Sequence, residues 1–596
     1  GHTGHDSTDV RKFQPFYDRH VAISKKYNWE RPAEWQQEID SIWKKSGQSL
    51  FFPKSRKDVQ TMRADRLIQE IDRSFKAWQE NAYTRNAPFE DFCRYILPYR
   101  YAEGVCIDNS RDVFYQRHAH LFSDAGKDFR QVIDSLHERS SDLMHNNWAA
   151  ASMPIYNAAT FEYVKRGSCD DKAWYNCLQL SALGMATAID FVPEWGNRAG
   201  GHSWNCVIVN GETHPFEPFW DADRWKYKRI YNNEGFDLLW GRFRLPKVYR
   251  HTFEYHLDGP FADPEVDRQD IPPLFRNPFM RDVSETYFQT EDVELSLRKP
   301  IPGNTKYAYL CVFGTKQWVP VQWGKIQRDG NVVFKGMGKG IVYLPMLYQN
   351  GNLTPAGPAF LLDKHGKQQV MEVHKETSPI TVSTYTSYLF TDEVIETKRT
   401  LNGACLLGSP DKNFAHADTL VCLTDSMESW GNDILPDSHI PYRYICLEVP
   451  KDSLNLCEIT FFERDGEEPI HPLKYSTNLR PLTPEDNPDR MTDGLSATGW
   501  RGKTNGDKGF VCWELPNPSL IKKIHYVPYW KPYFIQEKDI VLQYWDDAWI
   551  TAGTQRWEKG TLTFNDVPQG TIYRVRIEGT NDRIFTYNSS LKIRHA

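Results

Sequence analysis

A cysteine, a histidine and an acidic residue between positions 167 and 219 have the types and the order needed for nucleophilic catalysis. The segment 167–169 reads Gly-Ser-Cys, and apolar residues then recur at helical spacing as far as Leu183. Cys169 is therefore predicted at the start of a helix. Unpaired backbone N–H groups and the helix dipole favour a thiolate there, and the thiolate is the reactive form of cysteine.

The charge on this cysteine needs a cationic partner. Asp170 and Asp171 follow it directly, and two neighbouring negative charges disfavour a third. His202 is the predicted partner, in a segment Gly201-His202-Ser203-Trp204 that leads into the apolar run 206–209. This pattern indicates a strand that begins at the histidine.

A β-hairpin is predicted next, because Asn210-Gly211 is the strongest short-range signal for a two-residue turn. With this turn, residue 209 pairs with 212, and His202 lies on the same sheet face as Glu217, within reach of a hydrogen bond. His214 then points to the opposite face, which counts against it as the base. A register slip of one residue would reverse this assignment.

This order of cysteine, histidine and carboxylate resembles the transglutaminase-like cysteine-hydrolase core. The matching segments are 167–169, 183–185, 201–204 and 214–218. The family usually ends its last strand in Asp-Pro, so Glu217 stands here as the third residue, with Asp221 in reserve and Asp223 a weaker candidate. The resemblance implies a papain-like α+β core.

The loop between the predicted strands, 190–198, carries residues predicted to bind substrate. Trp195 and Arg198 lie in it, and Trp204 follows the candidate histidine. The family resemblance extends through this loop. A purely structural role is the alternative for residues of these types.

The overall composition indicates a large globular chain. At 596 residues, a prior of about 150 residues per domain predicts roughly four domains. The formal charge of −6 argues against nucleic acid or an anionic membrane surface as the main partner. The longest uncharged apolar stretch, 178–189, is far too short to cross a membrane. Eleven cysteines form no Cys-x-x-Cys pair, and Cys311 and Cys446 are predicted to be buried in strands as small apolar residues.

Residues 1–150 are predicted to form a helical N-terminal region. Apolar residues recur at helical spacing in 33–43, 62–78 and 129–143. The segment 89–100 resembles one found ahead of the catalytic core in large transglutaminase-like proteins of gut Bacteroidetes. It is predicted either to line a cleft, with Arg100 or Glu103 on the substrate, or to be a helix packed on the core and ended by Pro98.

The core is predicted at 151–260 and is followed by a Pro-rich linker. Three all-β sandwiches are then predicted, at 281–375, 376–478 and 479–596, from alternating short strands and regular turn signals. In the first sandwich, four aromatic residues are predicted either to stack on sugar rings or to form core: Trp318, Trp323, Tyr343 and Tyr348.

The last two predicted sandwiches resemble discoidin-like (galactose-binding-like) modules. The matching segments are 442–445 with 457–461, and 492–494, 513–515, 521–524 and 573–576. Such modules often hold glycans through loops at one end, so the candidate contacts are Asp493, Trp500, Trp530 and Trp549. A purely structural sandwich is the equal alternative.

Together these features predict a secreted, periplasmic or cell-surface cysteine hydrolase of the peptidase or amidase type, without a cofactor or a metal. It would cleave an amide bond of a peptide or glycopeptide through a thioacyl intermediate, and the β modules would present the substrate. A transglutaminase-type acyl transferase and an inactive carbohydrate-binding scaffold are the alternatives. Metal catalysis is disfavoured because the predicted strand faces separate His214 from His202 and Glu217.

Overall fold

The computed structural model describes residues 3–5, 7–30, 33–45, 56–145, 155–197, 199–220, 224–225, 243–298, 300–383, 385–386, 400–424, 427, 432–450, 452–463, 469–482, 486–494, 498–529, 533–534, 538–556, 561–578, 582–588 and 591–595. They form two compact units, one up to residue 370 and the other from Met371 onward. Helices dominate the N-terminal region and antiparallel sheets dominate the C-terminal part, as predicted.

The N-terminal helices lie close to their predicted positions. Ahead of Cys169, the α-helices are Ser7–Lys26, Ala33–Lys45, Asp58–Thr61, Ala64–Glu80, Phe89–Asp91, Ser110–His118, Phe129–Glu138 and Ala158–Val164. Phe89–Asp91 continues as a π-helical turn, Phe92–Ile96, whose Phe92 and Ile96 are fully buried. Arg100 is also buried, and its guanidinium binds both carboxylate oxygens of Asp58 at 2.8 and 2.9 Å. The segment therefore packs on the core, as the second of the two predicted alternatives states, and the alternative in which Arg100 touches substrate is wrong.

The helix that begins at the candidate nucleophile, Cys169–Ala182, is here called the central helix. It packs on a five-stranded antiparallel sheet, here called the core sheet, with the strand order Glu212–Phe216, His202–Val209, Thr187–Val192, Tyr249–His251 and Met280–Asp282. Gly184 ends the helix at φ +78°, and a Cβ there would lie 2.2 Å from the Ala77 carbonyl oxygen. Only glycine fits this close, left-handed turn into the sheet.

The predicted linker after residue 260 is a packed part of the first unit. It forms three 3-10 turns, Pro260–Ala262, Arg268–Asp270 and Pro273–Arg276, and then the outermost strand of the core sheet, Met280–Asp282. Ile271 is 2% exposed and Phe275 is 4% exposed, so apolar residues hold the segment in place. The core therefore extends about twenty residues beyond its predicted end, since its last strand ends at Asp282.

The first β region forms two sheets within the same unit. Glu291–Ser296 pairs with Asn331–Met337, and the other sheet contains Tyr307–Phe313, Trp318–Lys325, Ile341–Gln349, Asn352–Pro355, Ala359–Leu362 and Gln368–Met371. Trp318 and Tyr343 are buried, which confirms the core alternative for these two aromatics, whereas Trp323 and Tyr348 are half-buried. The hydroxyl of Tyr249, in the core sheet, donates to the Val321 carbonyl at 2.8 Å and joins the two regions.

The second unit interleaves strands that the sequence assigned to separate domains. One sheet contains Asp418–Cys422, Cys405–Ser409, Tyr442–Val449, Gly509–Ser519 and Lys474–Thr477. The facing sheet contains Asn432–Ile434, Ile521–Pro528, Ser453–Glu463, Trp500–Lys503, Arg480–Pro481 and Pro469–Ile470. One apolar core joins residues from Leu401 to Tyr526. The boundary predicted at 478 therefore falls inside a single sandwich.

The strand Thr377–Ser383 packs with the C-terminal strands of the chain and does not belong to that sandwich. It pairs with Thr561–Pro568, and Tyr385–Thr386 pairs with Tyr533–Phe534. A five-stranded sheet accompanies them, formed by Trp549–Arg556, Asp539–Trp545, Ile572–Ile577, Arg583–Asn588 and Leu591–His595. Ile380 shares one apolar cluster with Leu542 and Tyr573, so the boundary predicted at 376 is also displaced.

Cys446 is not the free apolar residue that was predicted. It forms a disulfide with Cys512, directly opposite on the neighbouring strand, and Cys405 forms another with Cys422 in the same sheet. Cys311 is buried and free, as predicted. In the part of the chain that the structure describes, no helix is both long and apolar enough to cross a bilayer.

The residues of the second unit that were predicted to contact a glycan differ in their exposure. Trp500 is fully buried, so the prediction that it contacts a ligand is wrong. Asp493 is exposed and accepts hydrogen bonds from the Thr498 hydroxyl at 2.9 and 2.8 Å. Trp549 is half-buried, with the Arg574 guanidinium 4.4 Å from its ring centroid. Trp530 lies outside the described residues.

Candidate active site

The sequence around Cys169 builds a firmly capped helix start. Ser168 is the N-cap; its hydroxyl accepts from the Asp171 N–H at 3.1 Å, and the Asp171 carboxylate accepts from the Ser168 N–H at 2.8 Å. Reciprocal bonds of this kind fix the first turn of a helix. Asp171 is thus committed to the cap, and Cys169 occupies the first helical position, where backbone N–H groups lack partners within the helix.

His202 and Glu217 form a hydrogen-bonded pair, with 3.0 Å between Nε2 of the imidazole and Oε2 of the carboxylate. The hairpin register is the predicted one: Val209 pairs with Glu212, and each further pair keeps the same offset as far as Asn205 with Phe216. Glu217 lies one residue beyond the last strand position, where its side chain reaches back to the histidine. The side chains are only 17% and 20% exposed, so water screens their attraction weakly.

The side chains of Cys169 and His202 interact, and each shifts the pKa of the other. Burial alone would raise the pKa of the Cys169 thiol, but hydrogen bonds with His145 and His202, together with the charge of His202, lower that pKa to about 6. Burial alone would lower the pKa of His202, but the Glu217 charge and the bonds with Cys169 and Glu217 raise it to about 10. Between these two values the pair exists as a thiolate and an imidazolium, which is the reactive state of a cysteine nucleophile.

His145 is a second imidazole near the same sulfur, and its role was not predicted from the sequence. It lies on a two-residue strand, Met144–His145, that pairs in parallel with Arg166–Gly167, so His145 is opposite Gly167. Its ring meets Phe219 edge-on, with 5.2 Å between centroids. Apart from the histidine itself, no motif or periodicity marks this position, because it depends on the pairing of two short segments distant in sequence.

A buried amide network holds the helix, the strand and the segment after the hairpin together. Asn176, on the central helix, donates from Nδ2 to the Asn205 side-chain oxygen at 2.9 Å and to the Pro218 carbonyl at 2.8 Å. Asn205 donates in turn to the Ala173 carbonyl at 2.9 Å. Asn176 and Asn205 are fully buried, so these bonds fix the position of Glu217, the neighbour of Pro218.

Trp195 and Trp204 flank the His202 ring, at centroid distances of 6.2 and 5.9 Å. Trp204 is fully buried and Trp195 is 4% exposed, which leaves almost no surface for a ligand. The indole N–H of Trp204 donates to the Tyr287 hydroxyl at 2.9 Å. The predicted substrate contact is therefore wrong for Trp204 and Trp195; both pack beside the imidazole and restrict its orientation.

The remaining candidates fall outside this cluster. His214 points to the opposite face of the hairpin, as predicted, where its ring lies 5.0 Å from Phe129 and 3.0 Å from a guanidinium nitrogen of Arg130. Arg198, Asp221 and Asp223 lie outside the described residues. Among the residues that are described, no three His, Cys, Asp or Glu side chains gather in a way that could hold a metal ion.

The arrangement is therefore a half-buried thiol beside two imidazoles, one of which, His202, is charged and paired with the Glu217 carboxylate. It can present a thiolate to an electrophilic carbon and hold the histidine in one tautomer and one orientation. No protein-family model matches the chain, and no curated protein is significantly similar to it.

Proposed function

We propose that the chain is a cysteine-nucleophile hydrolase that cleaves an amide bond in a peptide or glycopeptide. The observation that carries the proposal is the His202–Glu217 hydrogen bond, together with the interaction of that imidazole with the Cys169 thiol. The depressed pKa of the thiol supports it further, because perturbed groups of this kind concentrate at reactive sites.

In the proposed reaction the thiolate attacks the carbonyl carbon, and the carbonyl electron pair moves to oxygen. His202 gives its proton to the leaving nitrogen as the C–N bond breaks, which leaves a thioacyl group on Cys169. Water then adds to that group and loses a proton to His202, and the C–S bond breaks to release a carboxylic acid. Glu217 holds the ring and stabilises its positive charge in both half-reactions.

The proposed class is a transglutaminase-like core with a papain-like α+β arrangement. It is supported by the order of a helix that begins with the cysteine, a strand that begins with the histidine and a returning strand that ends beside the acid. A carboxylate supplied by Glu217 in place of the family's usual aspartate keeps the same chemistry, since either residue can accept the imidazole N–H.

We place the protein in a secreted, periplasmic or cell-surface setting, where its β modules would present a glycan or glycopeptide substrate. Two cross-strand disulfides in the second unit support an oxidising compartment. The exposed Asp493 side chain is the point at which a glycan contact would be sought.

The test is digestion of a proteome-derived peptide and glycopeptide mixture in heavy-oxygen water, with the Cys169→Ser variant as the control. Hydrolysis adds one heavy oxygen to each new C-terminus, and we expect such termini with the natural chain alone. Addition of a primary amine would divert the products to amides if acyl transfer dominates. Equal amounts of new termini from the natural chain and the serine variant would contradict the role of Cys169. New termini from neither chain would favour an inactive binding scaffold.

A further inference from the structure

The proposed hydrolysis needs two donors for the developing oxyanion, and the described residues next to Cys169 in sequence supply one of them. The backbone N–H of Cys169 lies in the first turn of the central helix, where N–H groups have no helical acceptor. A second donor must approach the same carbonyl oxygen from another element.

We infer, resting on the proposed function, that the His145 side chain is this second donor and is therefore a catalytic residue. Its strand position is opposite Gly167, two residues before Cys169. The side chain is close enough to that of Cys169 to lower the pKa of the thiol. In the tetrahedral adduct the oxyanion and the sulfur are attached to the same carbon, so a donor placed beside the sulfur lies close to the position where the oxyanion forms.

The two imidazoles at the sulfur have different surroundings, which divides their roles. The side chain of His202 is 17% exposed and is held by Glu217 from behind, so it serves the sulfur and its proton. His145, in contrast, is exposed to solvent. An exposed donor can meet an incoming carbonyl oxygen, whereas one enclosed by Trp195 and Trp204 cannot.

One short segment orients both rings. Glu217 binds His202, and Phe219, two residues later, packs edge-on against His145 at 5.2 Å. Asn176 anchors the residue between them through the Pro218 carbonyl. The segment thus sets both rings relative to the helix that carries Cys169, as preorganised stabilisation of an oxyanion requires.

His145 keeps its proton throughout the step. The sulfur lone pair forms the C–S bond, the carbonyl pair becomes the oxyanion, and the His145 N–H donates a hydrogen bond to it. When the adduct collapses, the C=O bond re-forms and the leaving group departs with its bonding pair. His145 therefore lowers the energy of the adduct without a net transfer of its own proton.

The test compares two reactions of Cys169 in the full chain. Iodoacetamide alkylates the sulfur at a saturated carbon, without an oxyanion, whereas p-nitrophenyl acetate acylates it through one. Both rates would be measured for the natural chain, His145→Ala and His145→Gln, at a pH at which the thiol is ionised in all three. The matched control is His214→Ala, which removes an imidazole on the opposite face of the hairpin.

We expect His145→Ala to slow acetylation about 10²-fold more than alkylation, and glutamine, which retains an N–H donor, to recover part of that loss. His214→Ala should leave the ratio of the two rates unchanged. If His145→Ala slowed both reactions equally, or slowed neither, the role of His145 would be overturned but the proposed function would not. Failure of Cys169 to acetylate in the natural chain would overturn the proposed function and, with it, this role.

Discussion

Asn176 on the central helix donates a hydrogen bond to Asn205 on the strand that begins at His202, with 2.9 Å between the amide nitrogen and oxygen. The same Asn176 nitrogen bonds the carbonyl of Pro218, which follows Glu217. This one buried side chain therefore connects the three elements that carry Cys169, His202 and Glu217.

Replacement of Asn176 by alanine should loosen this connection. The change leaves two buried acceptors unsatisfied, so the free energy of unfolding should fall by about 1–3 kcal/mol, and alkylation of Cys169 should slow. Chemical denaturation and the iodoacetamide rate measure the two effects. Asn352→Ala, at an exposed position, is the control and should change neither. Full alkylation speed in the destabilised Asn176→Ala chain would show that the network has no influence on the site.

The alkylation rate of Cys169 should follow the charges of the pair. A thiol pKa of about 6 means that the rate rises as pH increases through that value, because the thiolate is then formed. The imidazolium persists until pH approaches about 10, the pKa of His202. A rate plateau between these two limits is expected in a pH series, whereas a single rise near pH 9 would show an ordinary thiol.

Glu217→Gln should shift the pH dependence of the Cys169 alkylation rate. The glutamine removes the charge that raises the pKa of His202, so less imidazolium is available to stabilise the thiolate, and the midpoint of alkylation should rise by a unit or more. The control is Glu212→Gln, an exposed carboxylate at the other end of the same strand. An unshifted midpoint in Glu217→Gln would mean that the carboxylate does not act through His202.

Loss of the Cys446–Cys512 disulfide should affect the second unit alone. The bond closes a loop of 66 residues, and the double serine variant should lose about 2–4 kcal/mol of stability in the denaturant transition of that unit. Cys169 belongs to the first unit, and its alkylation rate should not change. An unaltered transition would show that the disulfide contributes nothing to the fold.

Local chemistry made much of the site predictable. Asn210 and Gly211 adopt φ of 53° and 79°, as a tight hairpin turn requires, and that turn sets the register that brings Glu217 to His202. The helix start at Cys169 follows in the same way from Ser168 and from the apolar spacing behind it.

Long-range pairing explains what sequence reasoning missed. His145 reaches the sulfur only because a two-residue strand pairs with residues 166–167, and such a short strand has no periodicity of its own. Strands on both sides of residue 478 share one sandwich, as Lys474–Thr477 and Gly509–Ser519 do, a pairing that turn signals do not encode.

The most direct test of the central claim, that His202 activates Cys169, is competitive labelling by iodoacetamide at pH 6 with peptide mass spectrometry. Cys93 is the internal control, since it is also free and half-buried but burial raises its pKa above the ordinary value of 9.0. At pH 6 about half of Cys169 is ionised against about one in a thousand for a thiol of pKa 9, and the lower nucleophilicity of the more acidic thiolate reduces this advantage to about 20-fold.

We therefore expect Cys169 to be labelled about 20-fold faster than Cys93, and His202→Ala to remove most of that difference. Labelling of Cys169 no faster than Cys93, or equally fast with and without His202, would contradict the account.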